Sequence, residues 1–373
     1  MSDGLPELAR MRELQIKMAD LYGRFNLFEP GAINLDREIG VPGKAYISKE
    51  EGIRRGVDIL LQSARHAQIA FRLSTALTRY EVLYVHSYKE LFLATLAIWL
   101  HGGRTNLLWH CHGLGYDNPP PMLRWLANRC QKVIAISRSV KERLVEVGVD
   151  EERIAVVYNA VKIPPGIEAS PELVPNRPPV PGGMVILVAT ATMNFEKGIH
   201  LAIEALESLP DSTVLWITGN DADGANRSYV EALKSIAQRA NVSDRVLYLG
   251  LRKDIYSVMK AADVVCVPSL CREGFGLVAA EGMALGKVVV VSNRGGLPEV
   301  VDQGRKGLIF DPEAPGDLAA KLNMIVRDAT RMSAMGAEAA VYAAKTYAYA
   351  RWAEQIRDEL VAAGHADSNR SSR

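Results

Sequence analysis

The amino-acid sequence predicts an α/β protein with two doubly wound domains, each built on a parallel sheet. From residue 80 onward, short runs rich in Val, Ile and Leu alternate with amphipathic segments, a pattern typical of buried parallel strands joined by helices. The alternation stops in a proline-rich stretch at 163–183 and then resumes. The length of 373 residues also fits two domains, at about 100–200 residues each.

In the first half, four short apolar runs bounded by polar or turn residues predict strands: Val82–Val85, Leu107–Trp109, Val133–Ile136 and Ile154–Tyr158. A helix is predicted over Arg138–Val147, because Val140, Leu144 and Val147 recur at helical spacing. The front of this domain is atypical, since no opening strand is evident in residues 1–50. One helical stripe of apolar residues stands there instead: Met11, Leu14, Met18 and Leu21.

The stretch 163–183 contains seven prolines and three glycines, which predicts a stiff, extended linker. Five further strands are expected after it: Met184–Ala189, Thr213–Thr218, Val246–Leu249, Val264–Val267 and Val288–Val291. The predicted organisation is therefore an N-terminal domain at 1–162, a linker at 163–183, a C-terminal domain at 184–350, and a closing helix and tail at 351–373.

The charge balance is nearly neutral, with 44 Lys and Arg against 43 Asp and Glu, so no global field favours a nucleic-acid partner. The apolar run Leu91–Leu100 is too short to span a bilayer, which takes about 20 residues. Residues 1–30 mix acidic and basic side chains, unlike a signal peptide. We expect a soluble, cytoplasmic protein with reduced cysteines.

Residues 54–143 are strongly basic, with 13 Lys and Arg against 5 Asp and Glu. One interpretation is a solvated basic face. The other is a surface that meets an anionic membrane or a phosphorylated lipid acceptor, which would make the protein peripheral at the inner face of a membrane. Nucleic acid is disfavoured, because aromatic residues are not interleaved with these charges.

The stretch Val264–Val300 has the strongest functional pattern. A strand is followed by the loop Glu273–Gly276 and by a helix from Leu277. Unpaired amides at a helix start, placed at the carboxyl end of a parallel strand, form an anion site. Glu281 lies inside that helix, where its carboxylate would accept hydrogen bonds from sugar hydroxyls. Two carboxylates flanking amide donors suit a ligand with polyol ends and a diphosphate between them.

Two more loops carry a related pattern after neighbouring strands. Gly295-Gly296 opens another helix, and Glu196-Lys197-Gly198 places a cation at a strand's carboxyl end. Lysine is a common phosphate ligand. Three such loops on strand ends of one domain predict one shared anion-binding site.

The run from Glu273 to Glu281 resembles the E-x7-E motif of retaining GT-B glycosyltransferases, in particular glycosyltransferase family four. Neighbouring motifs agree with it: Glu196-Lys197-Gly198, Pro268-Ser269, Gly295-Gly296-Leu297-Pro298-Glu299, and in the first domain His86-Ser87, His112-Gly113 and Tyr158-Asn159. The resemblance extends over about residues 64–362.

The resemblance implies two Rossmann-like domains facing a cleft, with the C-terminal helix crossing back to the first domain. It implies transfer of a sugar, with retention, from a nucleotide sugar linked to UDP or GDP. The acceptor would be a glycan or a lipid-linked glycan held by the first domain, and neither a metal nor another cofactor is expected. A rival interpretation is a non-catalytic nucleotide-sugar-binding subunit with a degenerate acceptor domain.

The resemblance also assigns roles. Glu281 would hold the ribose, Glu273 would lie near the donor sugar, and Lys197 would neutralise the diphosphate. Other donor contacts would come from Gly274, Phe275, Gly276 and Leu277, and base contacts from Gly250, Leu251 and Arg252. His112 matches the histidine beside the transferred sugar.

Two points in these assignments stay open. His110 competes with His112, because the two residues lie on the same face of a continued strand. The family's arginine before the lysine is replaced by Ala191 or Thr192, and Arg272 or Arg294 are candidates to substitute for it.

Overall fold

A computed structural model describes residues 19–20, 33–34, 66–77, 80–103, 105–114, 119–120, 122–170, 172, 183–220 and 224–365. The chain divides into two compact units. The first comprises the chain up to Ile136, Val140–Val157 and the chain from Ala353. The second comprises Ser137–Ser139 and Tyr158–Trp352. Each unit contains a six-stranded sheet in which the strand pairs are parallel.

The first sheet has the order β2-β1-β3-β4-β5-β6. Its strands are β1 (Ala19–Asp20), β2 (Ile33–Asn34), β3 (Val82–Val85), β4 (Asn106–Cys111), β5 (Lys132–Ala135) and β6 (Ile154–Val156). The four strands predicted from Val82 onward are confirmed with small shifts of their ends. Strands β3 and β4 are buried along their whole length, as expected for strands covered on both faces.

The prediction that residues 1–50 lack a strand was wrong. Strand β1 pairs with β2 and with β3, so two strands extend the sheet on this side. Each is only two residues long, which is too short to produce a recognisable period in the sequence. The four residues of the predicted apolar stripe, Met11, Leu14, Met18 and Leu21, lie outside the described residues.

The helices of the first unit are α1 (66–76), α2 (Tyr88–Leu100), α3 (Leu123–Ala127) and α4 (Arg138–Glu146). Helix α2 begins with a capping box, in which Ser87 accepts from the Glu90 amide and Glu90 accepts from the Ser87 amide. The same Glu90 carboxylate accepts from the backbone N–H of His86 at 2.6 Å. The cap therefore fixes the chain direction where β3 ends.

The second sheet has the order β12-β11-β10-β7-β8-β9. Its strands are β7 (Met184–Thr192), β8 (Thr213–Asn220), β9 (Val246–Gly250), β10 (Val264–Val267), β11 (Val288–Ser292) and β12 (Leu308–Phe310). All five predicted strands are present, and β12 is an additional edge strand. Its apolar run, Leu308–Phe310, has only three residues, which is too short to establish a strand period in the sequence.

The helices of the second unit are α5 (Ile199–Ala205), α6 (Gly224–Arg239), α7 (Ile255–Ala261), α8 (Leu277–Ala284), α9 (Leu297–Val300), α10 (Asp317–Arg327) and α11 (Ala329–Thr346). A hydrophobic core cluster lies between this sheet and its helices, including Ile186, Leu215 and Val290 from the strands and Ile203 and Leu322 from the helices. Burial of these side chains is the main favourable contribution to folding of the unit.

The last helix, α12, extends over Tyr349–His365. Its residues from Ala353 onward belong to the first unit, and Ile356 and Leu360 on its apolar face are fully buried. Among the described residues, no helix combines the length and the apolar character needed to cross a membrane.

The described residues of the predicted linker, 163–170, Glu172 and Gly183, form no helix or strand. Ser170 in this part is buried. Its amide donates to the Ser257 carbonyl at 3.1 Å, and its hydroxyl donates to Asp254 at 3.0 Å. This portion of the chain is therefore attached to the second unit.

Candidate functional site

The carboxyl ends of β7, β10 and β11 carry the three loops that the sequence singled out. Because the strands are parallel neighbours in the order β11-β10-β7, their carboxyl ends meet at the same edge of the sheet. The loops are joined by hydrogen bonds. The Leu270 amide donates to the Glu196 carbonyl at 2.7 Å, and the Gly296 amide donates to the Glu273 carbonyl at 2.8 Å. The predicted grouping of these loops is thus present.

Two glycines permit this close packing of the loops. Gly198 has φ +63°, and a Cβ there would lie 1.9 Å from the carbonyl oxygen of Pro268. Gly295 has φ +56°, and a Cβ there would lie 2.2 Å from the carbonyl oxygen of Glu273. A side chain at either position would collide with backbone. These two glycines therefore serve contact between the loops.

Lys197 and Glu273 form an ion pair at the centre of this edge. The Lys197 Nζ donates to Glu273 Oε1 at 2.7 Å, and the Ser269 hydroxyl donates to the same oxygen at 2.7 Å. Both side chains are half-buried. Burial lowers the pKa of Lys197, but the hydrogen bond and charge of Glu273 outweigh it, so the pKa is raised overall. Lys197 is therefore a fixed cation at neutral pH.

The start of helix α8 presents backbone amides. Gly276 is its N-cap residue, has φ 103° and provides no side-chain cap. No acceptor within the described ranges pairs with the amides of Phe275, Gly276 or Leu277. The Phe275 side chain is buried and packs edge-on against Tyr347, with ring centroids 5.3 Å apart. Phe275 can therefore offer a ligand its amide but not its ring.

Glu281 lies in the same helix and is half-buried. Tyr256 from α7 donates its hydroxyl to Glu281 Oε1 at 3.1 Å. Burial raises the pKa of Glu281, and the Tyr256 hydrogen bond partly opposes that rise. Burial also raises the pKa of Tyr256 to about 12, and the Glu281 charge adds to this. Sequence reasoning missed Tyr256, because it sits on an ordinary helix with no motif around it.

The predicted base contacts, Gly250, Leu251 and Arg252, follow β9. Gly250 accepts a hydrogen bond from the Thr218 hydroxyl at 2.6 Å, and Leu251 is 67% exposed. The Arg252 guanidinium is bound by Asp254 at 2.7 Å and by Glu172. This side chain is therefore held by two carboxylates, which the sequence pattern did not indicate.

The two arginines considered as substitutes differ in their surroundings. Arg294 forms an ion pair with Glu313 at 2.5 Å. Arg272 is exposed beside Glu273, and no carboxylate of the described chain pairs with it. Ala191 and Thr192 are both exposed at the end of β7. Of the two arginines, Arg272 is thus the one whose guanidinium is not paired with a carboxylate of the described chain.

The segment Ser137–Ser139 also borders the loops of the second unit, to which it belongs. The Ser137 hydroxyl donates to the Gly274 carbonyl at 2.6 Å. The amides of Arg138 and Ser139 donate to the Glu299 carboxylate at 2.9 and 2.6 Å, and Tyr158 donates to it at 3.2 Å. Glu299 is therefore occupied by protein donors and holds this segment in place.

The first unit carries a separate cluster of three histidines, at the carboxyl ends of the paired strands β3 and β4. His86 Nδ1 lies 3.0 Å from His112 Nε2. The rings of His110 and His112 are stacked, with centroids 4.3 Å apart. On its other side, His110 Nδ1 lies 2.5 Å from the Tyr84 hydroxyl. The sequence analysis placed His110 and His112 on one face of the strand but did not predict that His86 lies beside them.

The three imidazoles are neutral at physiological pH. Burial lowers the pKa of His86 to about 4. Burial and the neighbouring His86 charge lower the pKa of His112 to about 4. Burial, with smaller contributions from His112 and His86, holds the pKa of His110 well below its usual value. Part of His112 remains exposed, whereas His110 is only 1% exposed, so of these two histidines His112 is the one accessible to a substrate.

Comparisons with known proteins agree on the family. The model for "Glycosyl transferases group 1" matches residues 174–341, and the model for "Glycosyltransferase Family 4" matches residues 40–163. The solved structure of Anabaena HepE in complex with UDP and glucose is 26% identical, with a TM-score of 0.70. That match covers 79% of this chain and 81% of HepE.

Curated relatives are D-inositol 3-phosphate glycosyltransferases. The protein from Corynebacterium jeikeium is 36% identical over 45% of this chain and 41% of its own length. That from Mycobacterium sp. strain JLS is 30% identical over 69% of this chain and 61% of its own length. The chain thus spans less than two thirds of either relative. Matched by one family model in each unit and sharing its fold with HepE, the chain belongs to glycosyltransferase family four and has the GT-B fold.

Proposed function

We propose that the protein transfers a hexose from a nucleotide sugar to an acceptor with retention of the anomeric configuration. The observation that carries the proposal is the start of α8 at the edge of the second sheet, where the unpaired amides of residues 275–277 lie along the chain between Glu273, which pairs with Lys197, and Glu281, which binds Tyr256. Amides and a cation suit a diphosphate, and carboxylates suit the hydroxyls of ribose and hexose.

The donor is proposed to be UDP-linked rather than GDP-linked, because the similar HepE structure contains UDP and glucose. Glu281 would accept from the ribose hydroxyls, with Tyr256 orienting its carboxylate. Lys197 and the α8 amides would stabilise the negative charge that develops on the departing diphosphate, which needs no metal ion. A fixed cation and preoriented amides lower the barrier because they require little reorganisation. Arg272 would add a second cation.

The acceptor is proposed to be a glycan or a lipid-linked glycan bound by the first unit, with His112 acting at the transferred sugar. His112 is accessible and neutral, so its ring can accept or donate a hydrogen bond near the reacting carbon without adding charge there. Inositol phosphates belong in the acceptor panel, because the curated relatives are named for D-inositol 3-phosphate.

We also propose peripheral contact with an anionic membrane at its inner face. On α2 and α3, Trp99 is 72% exposed and Trp125 is 49% exposed, and the Arg129 guanidinium lies 4.0 Å from the Trp125 ring centroid. Exposed aromatic side chains beside cations suit the lipid headgroup region. Vesicles containing anionic lipid should bind the wild type in a salt-dependent way. A Trp99→Ser/Trp125→Ser variant should bind less, whereas Val341→Ser, another exposed apolar site, should bind as before.

The experiment that tests the function is a thermal-shift screen of UDP- and GDP-sugars, followed by assays of transfer and donor hydrolysis. We expect stabilisation by a UDP-hexose, since a bound ligand stabilises the folded state, and a product whose anomeric configuration matches the donor by NMR. Stabilisation without transfer or hydrolysis would support the non-catalytic interpretation. No stabilisation by any nucleotide sugar would contradict the proposal.

A further inference from the structure

We propose that a cavity of the first unit holds the acyl chain of a single anionic phospholipid. The cavity lies between helices α2 and α3 and has a volume of about 890 Å³. This volume falls within the range of roughly 300–1,000 Å³ that is typical of small-molecule sites. The inference rests on the membrane contact proposed above, and it names the lipid chemistry and the place where one molecule binds.

The position of the cavity separates it from the histidines of the same unit. It is lined by Asn106, the first residue of β4, by Gln131 before β5 and by Arg153 before β6. These residues mark the amino ends of the strands, whereas His112 follows the carboxyl end of β4. Because a strand rises about 3.3 Å per residue, Asn106 and His112 lie about 20 Å apart. The cavity is therefore distinct from the place proposed for the transferred sugar.

Both helices of the cavity cover the same face of the sheet. Helix α2 joins β3 to β4 and helix α3 joins β4 to β5, and the three strands are successive neighbours. Because such crossovers are right-handed, two that proceed in one direction place their helices on one face. Leu96 from α2, Leu126 from α3 and Leu107 from β4 give the cavity an apolar wall. A hydrocarbon chain placed against this wall would remove apolar surface from water.

Four large apolar side chains that line the cavity remain exposed and form its rim. The exposed fractions are 72% for Trp99, 49% for Trp125, 43% for Met122 and 37% for Phe92. Exposed apolar surface gathered at one place marks a site of interaction with a protein or a membrane. Tryptophan favours the boundary between lipid headgroups and hydrocarbon. The rim therefore suits a lipid whose chain enters the cavity and whose headgroup stays outside.

The charges at the cavity favour an anionic headgroup. Within the described chain, the cavity is lined by two arginines, Arg129 and Arg153, and by no acidic residue. Arg153 lies 3.5 Å from Asp150 and donates to the Cys130 carbonyl at 2.9 Å, so its charge is partly compensated. The Arg129 guanidinium lies 4.0 Å from the Trp125 ring centroid, and no carboxylate of the described residues pairs with it. Arg129 is therefore the cation that would bind the lipid phosphate.

The test titrates lauroyl lysophosphatidylglycerol into the full chain below the critical micelle concentration of this lipid, with tryptophan fluorescence and calorimetry as readouts. We expect one lipid per chain. Glycerol phosphate, which lacks the acyl chain, should not bind measurably. Lauroyl lysophosphatidylcholine, whose headgroup has no net charge, should bind about fivefold more weakly, which corresponds to the attraction between one arginine and an anionic lipid.

Two variants separate the contribution of the chain from that of the headgroup. Leu96→Trp should fill the cavity and weaken binding at least about tenfold, because each methylene group kept out of it lowers the affinity about fourfold. Arg129→Gln should weaken binding of the anionic lipid about fivefold and that of lysophosphatidylcholine less. Val145→Trp and Arg143→Gln are the matched controls, since both residues lie on α4 of the same unit and do not line the cavity.

Absence of saturable binding by the wild type, or equal binding of lysophosphatidylglycerol to the wild type, Leu96→Trp and Arg129→Gln, would overturn the proposal. Circular dichroism checks that the variants fold, and the lipid series on the wild type tests the site without any substitution. Binding to anionic vesicles without binding of the monomeric lipid would support the proposed membrane contact and overturn this site. Binding of the monomeric lipid without vesicle binding would support this site and contradict the proposed membrane contact.

Discussion

The two units present different chemistry at the carboxyl edges of very similar sheets. In the first unit, three neutral imidazoles come from the strand ends themselves. In the second, the edge is built from three loops joined by backbone hydrogen bonds, with one ion pair and a row of unpaired amides. The first site thus consists of side chains, and the second mainly of backbone.

This difference determines which substitutions should matter. A side-chain site is disabled by removing one ring, while the fold around it stays intact. A backbone site is insensitive to many side-chain changes but depends on the conformations that position its amides, and therefore on a few glycines. The predictions below use this contrast, beginning with the largest expected effect.

His112→Ala should lower the transfer rate about a hundredfold or more, because general acid–base or hydrogen-bonding groups at the reacting centre contribute about 10²–10⁴-fold. Donor affinity should remain nearly unchanged, since the donor contacts are assigned to the second unit. Steady-state kinetics and donor titration would measure the two quantities.

The same measurements on His110→Ala show whether the catalytic histidine is His110 instead of His112. If His112→Ala retains full transfer while His110→Ala abolishes it with the fold intact, the catalytic assignment belongs to the buried histidine. If neither substitution changes a measurable rate, the first unit's histidines have no part in transfer.

Gly198→Ala should destabilise the second unit more than Gly316→Ala does. Both glycines have positive φ, which costs an alanine roughly 1–2 kcal/mol. A Cβ at Gly198 would also lie 1.9 Å from the Pro268 carbonyl oxygen, whereas nothing lies within 4 Å at Gly316. We expect the difference in free energy of unfolding to be about 1–3 kcal/mol, as for other overpacked sites. If denaturant titration shows that Gly198→Ala and Gly316→Ala destabilise the protein equally, the loops can move apart without a cost in free energy.

The fold and the second site could largely be predicted from the sequence, because strand runs such as Val264–Val267 and Val288–Val291 are strongly periodic and the loops follow them directly. The partners of Arg252 and the Tyr256–Glu281 contact could not be predicted. These contacts join residues that are close only after folding, and no local pattern marks them. Strands β1, β2 and β12 were missed because two or three residues do not establish a period.

Acidification should affect the two sites in opposite directions. The pKa values of His86 and His112 are lowered to about 4 from 6.5, so the unfolded state binds more protons between these values and stability falls as pH falls from 6.5 to 4. The pKa of Glu281 is raised from its ordinary value of 4.5, so at a pH above 4.5 the folded state binds more protons at this carboxylate than the unfolded state does. The contribution of Glu281 to stability therefore increases as the pH falls toward 4.5.

Denaturant unfolding at pH 7 and pH 5 would measure this contrast. A His86→Gln/His112→Gln variant should lose less stability on acidification than the wild type, and Glu281→Gln should lose more. Identical losses in all three proteins would contradict the protonation states assigned to both sites.

The account's central claim is that the donor binds at the loops and α8 of the second unit, and calorimetric titration of UDP into the full chain tests it most directly. We expect one UDP per chain. Glu281→Gln should weaken binding at least about tenfold, because a hydrogen bond to a charged group is worth roughly 1.5–3 kcal/mol. Tyr256→Phe should weaken it only a few-fold, and His112→Ala should leave it unchanged. A wild type that does not bind UDP, or a Glu281→Gln variant that binds it as tightly as the wild type, would contradict the claim.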